Sequence, residues 1–226
     1  MKRSEINAII RESDAFLKSR QFYLPPFAYW SPEDWRAQGE DVREIVERHL
    51  GWDVTDFGQG EYEKIGLSVF TIRNGGPGGQ GKTYCEKILV VGVDQVTPMH
   101  FHWQKMEDII NRGGGKLVVQ LYNAAADETL DNSDVTVHLD GVARTMRAGD
   151  TVILSPGESI TLEPYCYHKF WGIGDRVLVG EVSKVNDDNI DNHFYESMGR
   201  FPAVEEDEPP LHLLVNDYPH YYRFTR

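Results

Sequence analysis

Past Trp52 the chain breaks into eight short runs rich in Val, Ile and aromatic residues, each closed by turn residues. This rhythm limits the fold more than any other feature. The runs are SVFTIR, YCEKILVVGV, KLVVQLYNA, VTVHL, VARTMRAG, TVILS, SITLEPYCYHKFW and RVLVGEVSKV. Asp140-Gly141 falls between two of them and marks a hairpin. Short strands in such close succession specify an antiparallel barrel or jelly roll.

The first fifty residues read as helix. Ser4 can cap a segment in which Ile6, Ile9, Ile10, Phe16 and Leu17 recur at helical spacing. After the rigid aromatic connector FYLPPFAYW, Ser31-Pro32-Glu33 predicts a second helix that runs to about residue 50, with Gly51 just past its end. From Asn186 onward the chain turns acidic and proline-bearing, with EEDEPP at 205–210, and Leu211, Leu213, Leu214 and the tyrosines beyond them require burial. The expectation is a tail folded back over the barrel mouth. The chain is thus read as one unit: a helical extension over 1–51, a barrel over 52–185 and a C-terminal segment over 186–226. The loop Asn74-Gly75-Gly76-Pro77-Gly78-Gly79 runs on through Gly81-Lys82-Thr83, but the strand-like YCEKILVVGV follows where a phosphate cradle needs a helix, so it is read as a flexible connection.

A formal net charge of -13 argues against nucleic acid or an anionic membrane as partner, because both select a basic face. Cys85 and Cys166 are too few for a disulfide framework and fit a reducing compartment. The opening MKRSEINAIIRESDAF holds no apolar run of signal-peptide length. The expected location is the cytoplasm.

The chemistry concentrates in QVTPMHFHW. Residues two apart in a strand share a face, so His100 and His102 point inward while Met99, Phe101 and Trp103 point away. Glu107 follows five residues after His102, enough chain to turn and return a carboxylate to the same point. A ligand from a distant strand closes the set, and His168 in PYCYHKFW is the candidate. Three imidazoles and one carboxylate suit Mn, Fe, Co, Ni or Zn better than Ca or Mg.

Two resemblances follow from these residues. Gly92, then His100-Phe101-His102, then Glu107 and Gly114 resemble the first cupin motif, and Gly149-Asp150, Pro156-Gly157 and His168 resemble the second. The second departs from the pattern: His168 comes eleven residues after Gly157, and no asparagine follows it in Lys169-Phe170-Trp171. Over almost the whole chain, MKRSEINAII, FAYWSPEDW, TPMHFHWQKMEDIINRGGG and EEDEPP with NDYP resemble the cupin-type D-lyxose isomerases. That resemblance implies a mainly β cupin barrel with N-terminal helices and a C-terminal tail packed on it. It also implies a homodimeric, manganese-preferring enzyme (alternatives Fe, Co and Zn) that interconverts D-lyxose with D-xylulose and often D-mannose with D-fructose.

An aldose–ketose isomerase moves hydrogen between C1 and C2 and a proton between O1 and O2, so it needs an electrophile and a base. Lys105, between His102 and Glu107, can stabilise an enediolate or donate a proton. Glu205 or Glu206, in the family-like acidic run, is the expected base. Lys87 in an apolar strand, Glu181 in phase with Val177 and Val179, and Asp217 and Arg223 in the tail are the expected sugar contacts. Trp30, Tyr122, Phe170 and Trp171 are candidates for an aromatic wall. Three histidines and a carboxylate on iron also fit a cupin oxygenase, and the same barrel fits a non-catalytic sugar-binding module. A phosphosugar isomerase would require an Arg/Lys cluster that the motifs lack.

Overall fold

The computed structural model describes residues 1–226 except 77–79, 186, 189, 225 and 226. The last residues of the glycine loop and the expected start of the tail at Asn186 therefore lie outside the described residues.

Helix α1 (Arg3–Ser19) opens the chain. It starts two residues earlier than the Ser4 cap predicts, because the Glu5 carboxylate takes the Lys2 amide (2.8 Å) and Ser4 turns its hydroxyl to Asp207 (2.7 Å). The second expected helix is broken. It forms α2 (Pro32–Ala37) behind the Ser31 cap, a 3-10 turn over Glu40–Val42, and α3 (Arg43–Glu47). Gln38 and Gly39 between them are extended, and the Gly39 carbonyl is taken by the Tyr222 hydroxyl (2.7 Å). Tertiary packing overrides helical spacing here, since Trp35 is buried against Tyr218.

The strands are β1 (Gly51–Thr55), β2 (Leu67–Arg73), β3 (Tyr84–Val91), β4 (Thr97–Phe101), β5 (Glu107–Ala124), β6 (Leu130–Asp131), β7 (Val135–Leu139), β8 (Val142–Met146), β9 (Thr151–Leu154), β10 (Ser159–Leu162), β11 (Cys166–Lys184) and β12 (His193–Phe194). Asp140 and Gly141 join β7 to β8 with φ of 50° and 80°, the hairpin geometry expected of Asp-Gly. Two expectations change. SITLEPYCYHKFW is not one strand, because the chain turns at Tyr165 (φ 61°) between β10 and β11. The runs KLVVQLYNA and RVLVGEVSKV are each the second half of a long strand, β5 and β11.

Strands β5 and β11 pair antiparallel along their whole length and change neighbours halfway. The lower halves join β1-β2-β3 on one side and β10-β7-β8 on the other; the upper halves join β4, β12 and β9. The fold is a mainly β, antiparallel barrel of cupin type. The changeover falls at glycines. A Cβ on Gly115 would sit 2.3 Å from the Asp175 carbonyl oxygen, and one on Gly114 (φ 95°) 2.0 Å from that of Arg176. The Gly113-Gly114-Gly115 cluster thus lets two backbones close on each other.

Alternation along each strand sorts the faces. Leu67, Val69, Leu89, Val91, Ile109, Val177 and Val179 fill the barrel interior with residues of β7, β9 and β10. Val54, Phe70, Ile88, Val90 and Leu178 face outward and are covered by Ile6, Ile10 and Leu17 of α1. The same alternation turns Asp53, Lys87, Glu107 and Glu181 inward at one end of the barrel, where all four are buried.

The tail packs on the barrel, but on its outer side. Leu213, Val215, Tyr218 and Tyr222 bury with Trp35 and Val42, and Leu214 lies beside Trp52. Arg3, 1% exposed, clamps it to α1, donating to Glu206 (2.6 Å) and to Asp217 (3.0 Å). The mouth is crossed instead by residues 190–201, whose β12 pairs with β4. Among the described residues no helix is long and apolar enough to cross a membrane.

Replacing Arg3 with Met should lower unfolding stability by roughly 1–3 kcal/mol, the worth of charge-assisted hydrogen bonds partly screened at the 57% exposed Glu206. The hydrogen bonds from Arg3 hold the Glu206 carboxyl below its ordinary 4.5. Its contribution is therefore full above about pH 4.5 and fades as pH falls through the lower folded value. Urea denaturation of both proteins from pH 3 to 7 should show their difference shrinking in acid.

Candidate functional site

His100 is the last residue but one of β4, and His168 lies directly opposite it on β11. His102 stands two residues on, where the chain leaves the sheet, and β5 begins with Glu107 after a short turn. The three imidazoles and Glu107 are buried, with exposures of 8%, 4%, 1% and 2%. One ring nitrogen from each histidine lies within 4.8 Å of the other two.

Hydrogen bonds decide which nitrogens face inward. His100 Nδ1 donates to the Pro98 carbonyl (2.7 Å), His168 Nδ1 to that of Cys166 (3.0 Å), and His102 Nδ1 to that of Asp191 (2.5 Å). A carbonyl can only accept, so each Nδ1 carries the hydrogen, and in the neutral ring Nε2 is the nitrogen that keeps a bare lone pair. Burial, reinforced by His168 and His102, holds the His100 ring well below its ordinary titration range and so neutral. The Nε2 atoms of His102 and His168 lie 3.3 Å and 3.1 Å from Glu107 Oε1. Neither is aligned for a hydrogen bond, and both are buried without a partner. Unpaired acceptors in a dry site are costly. A divalent cation is the group that satisfies lone pairs from three imidazoles and a carboxylate together, so the donor set fits a metal.

Around this cluster the charges alternate. Lys105 Nζ lies 2.6 Å from Glu107 Oε2 and 2.9 Å from Glu181 Oε1; Lys87 Nζ lies 3.6 Å from Glu181 and 3.3 Å from Asp188. Arg200 then bridges Asp188 (3.0 Å) and Asp53 (2.8 Å). Burial pushes the Lys105 ammonium down, but Glu107, Glu181 and Asp188 outweigh it and hold Lys105 charged far above pH 7. Burial likewise pushes Glu107 up, and Lys105 with His102 reverses it, leaving the carboxylate well below its usual range. Lys105 is therefore a fixed cation and donor, and Glu107 a fixed anion.

Asp191, in the crossing segment, ties these parts together. Its carbonyl takes the His102 Nδ1 hydrogen, and its carboxylate takes the amides of Gln104 and Lys105, both at 3.0 Å.

Of the residues singled out from sequence, the structure gathers His100, His102, Glu107, His168, Lys105, Lys87 and Glu181 around one cavity. It does not bring Glu205, Glu206, Asp217 or Arg223 there. Glu205 shares backbone hydrogen bonds with Met1 and Arg3, Glu206 and Asp217 hold Arg3, and Arg223 is exposed. The reason is the tail's route along α1 rather than over the mouth. Of the aromatic candidates Phe170 lines the cavity, whereas Trp30 packs on Trp35, Tyr122 on Gly149, and Trp171 beneath Lys169. Phe57 and Phe194 supply the other walls, with Phe194 5.6 Å from His100. Asp53, Asp188, Asp191 and Arg200 escape a reading of the sequence. For Asp53 a signal exists, since it stands in phase with Thr55 and out of phase with Trp52 and Val54.

A cupin-like barrel with a buried three-histidine, one-glutamate cluster and an adjoining lysine–carboxylate chain defines the class. A sequence profile of the D-lyxose isomerase family matches residues 1–218, and the chain belongs to that family. It is a sugar isomerase. It is 50% identical over 224 residues to proteins named D-lyxose/D-mannose isomerase from Serratia proteamaculans and Escherichia coli O157:H7, spanning 96% of this chain and 98% of each relative. The fold is shared with the L-ribose isomerases of Cellulomonas parahominis (TM-score 0.62, 17% identity) and Acinetobacter sp. DL28 (TM-score 0.60, 16% identity), each aligned over 91% of this chain and 98% of the other.

Lys105→Met strands two buried carboxylates and should lower stability by roughly 3–5 kcal/mol at pH 7. Adding Glu181→Gln should recover part of that loss. A urea double-mutant cycle checks the coupling, and simple additivity of the two changes would contradict it.

Proposed function

We propose that this protein interconverts free aldoses and ketoses, D-lyxose with D-xylulose and D-mannose with D-fructose, using one divalent metal ion held by His100, His102, His168 and Glu107. The gathering of three imidazoles within 4.8 Å of one another, two of them beside the Glu107 carboxylate, carries the reading. Manganese is the expected ion, with iron, cobalt and zinc as alternatives. When bound, the ion polarises the sugar carbonyl and templates its two adjacent oxygens.

The chain's own groups supply the rest. Glu181 is the carboxylate next to the cluster that is left outside the ligand set, and we assign it the base that carries hydrogen between C1 and C2. Lys105 touches both carboxylates, orients Glu181 and places a permanent cation beside the developing enediolate. Lys87 approaches the same Glu181 oxygen, Oε1, at 3.6 Å. Four carboxylates (Asp53, Glu107, Glu181, Asp188) and three cations (Lys87, Lys105, Arg200) leave one negative charge in excess in this chain of contacts. A divalent ion held by the histidines and Glu107 would offset that excess, leaving a positive field for charge that develops on the sugar oxygens. Phe57, Phe170 and Phe194 exclude water and supply apolar walls for the sugar carbons.

The whole chain 1–226 acts as one unit in this reading, with the helices and tail bracing the barrel. Two buried, unpaired cysteines support a cytoplasmic location, and the family resemblance supports a homodimer.

Protein stripped of metal and reloaded with Mn, Fe or Zn should form ketose from D-lyxose and D-mannose; no ketose with any metal would contradict the proposal. His102→Ala should lose both bound manganese and turnover. Glu181→Gln should keep the metal and lose about 10²–10⁴-fold in kcat. Glu205→Gln and Glu206→Gln should keep both.

A further inference from the structure

The cavity at the histidines is small, about 40 Å³, room for a few waters and not for a monosaccharide. Beside it lies a cleft of about 680 Å³, a size typical of small-molecule sites. The two volumes meet at one group of charges. Arg200 lines the inner cavity, Asp53 lines the outer cleft, and Asp188 lines both. Arg200 is thus the partition, held on its two sides by the carboxylates.

Its environment is unusual for a structural ion pair. The Arg200 backbone is anchored to β1, where its carbonyl accepts the Thr55 hydroxyl hydrogen (2.7 Å). Its side chain is 13% exposed. Nη2 donates to Asp188 (3.0 Å), and Nη1 forms an ion pair 2.8 Å from Asp53 Oδ2 whose angle falls short of an aligned hydrogen bond. A five-donor fork held by one aligned hydrogen bond and one off-angle ion pair keeps donor capacity for a hydroxyl placed beside it.

We propose that Arg200, with Asp53, binds the hydroxyls of the open-chain sugar that lie farthest from the reacting carbons, and thereby sets the preference among aldoses. The inference rests on the isomerase reading above. With C1 and C2 at the histidines, the line of contacts from Glu107 through Lys105, Glu181, Lys87 and Asp188 leads along the cavity to Arg200. A sugar that reaches the histidines from the cleft passes this partition and takes its place between the two volumes. Its remote hydroxyls then meet a forked donor and a carboxylate acceptor. A hydroxyl is both donor and acceptor, so the pair satisfies it in either sense. Such a site rejects an analogue whose hydroxyl is missing or displaced, because the charged partners are left unpaired.

The test uses manganese-loaded full-length protein and three variants, Arg200→Met, Arg200→Lys and Asp53→Asn. Manganese affinity is measured by calorimetry, and kcat and KM are measured with D-lyxose and with D-mannose. Arg200→Met should bind manganese within about twofold of wild type. Its KM for D-lyxose should rise roughly 10- to 100-fold, the loss of one charge-assisted contact, with kcat little changed. The ratio of kcat/KM between the two sugars should shift at least about fivefold. Arg200→Lys, which keeps the charge and loses the fork, should fall between, and Asp53→Asn should shift the ratio with metal affinity intact. An unchanged KM in Arg200→Met overturns the proposal. So does an equal loss on both sugars accompanied by weaker manganese binding, which marks Arg200 as a brace for the chamber. Should Arg200→Met fail to fold, Arg200→Lys and Asp53→Asn decide by the same ratio. Wild-type protein that binds manganese and converts neither aldose contradicts the isomerase reading itself, an outcome visible before any variant is compared.

Discussion

Three hydrogen bonds from imidazole to backbone govern the active end of this barrel. Each takes the Nδ1 hydrogen of a histidine and so turns a bare Nε2 toward the same small space. Without them each ring is free to flip or change tautomer, and lone pairs would not converge. The acceptors are the carbonyls of Pro98, Cys166 and Asp191. Two belong to the strands that carry the histidines, so those rings are oriented by the sheet itself. The third belongs to the segment that crosses the mouth. Covering the barrel and aiming His102 are therefore one structural event, and the Asp191 carboxylate extends it to the turn that carries Lys105.

Around those rings, charge is handled by alternation rather than exclusion. Seven ionised groups lie in one line of contacts, each anion between cations except at the two ends. In a low-dielectric interior no member can be removed without leaving a neighbour unpaired. This is why Lys105 stays charged and Glu107 stays ionised despite complete burial. It also leaves the site rigid before substrate arrives, which is what stabilisation of a developing charge requires.

Much of this was legible in the sequence because strand alternation is a strong rule. His100 and His102 share a face by spacing alone, and Lys87 and Glu181 betray themselves by standing in phase with Leu89, Val91, Val177 and Val179. Pairing then sets Glu181 across from Lys87. His168 was reachable because a far strand had to close the site, and it lies opposite His100 although its spacing departs from the cupin pattern. What escaped depends on where segments cross in space. Nothing local in Gly199-Arg200-Phe201 announces an arginine docked against β1. The acidic run at 205–210 has the composition of a solvated surface and is tied to α1 through Arg3, so its proximity to the active end could not be inferred from its charge. The tail's apolar residues did need burial, but Trp35, Val42 and Trp52 offered it on the outer wall. The broken second helix belongs to the same packing, which holds Gly39 extended against Tyr222.

Isomerisation at this end of the barrel depends on three imidazole Nε2 atoms and the Glu107 carboxylate sharing one cation. X-ray absorption spectroscopy of protein loaded with one equivalent of manganese tests this directly, because imidazole rings give a distinct outer-shell scattering pattern. The expected shell has three imidazoles and at least one carboxylate oxygen, and loses one imidazole in His168→Ala. An oxygen-only shell, or a pattern unchanged by that substitution, would contradict it.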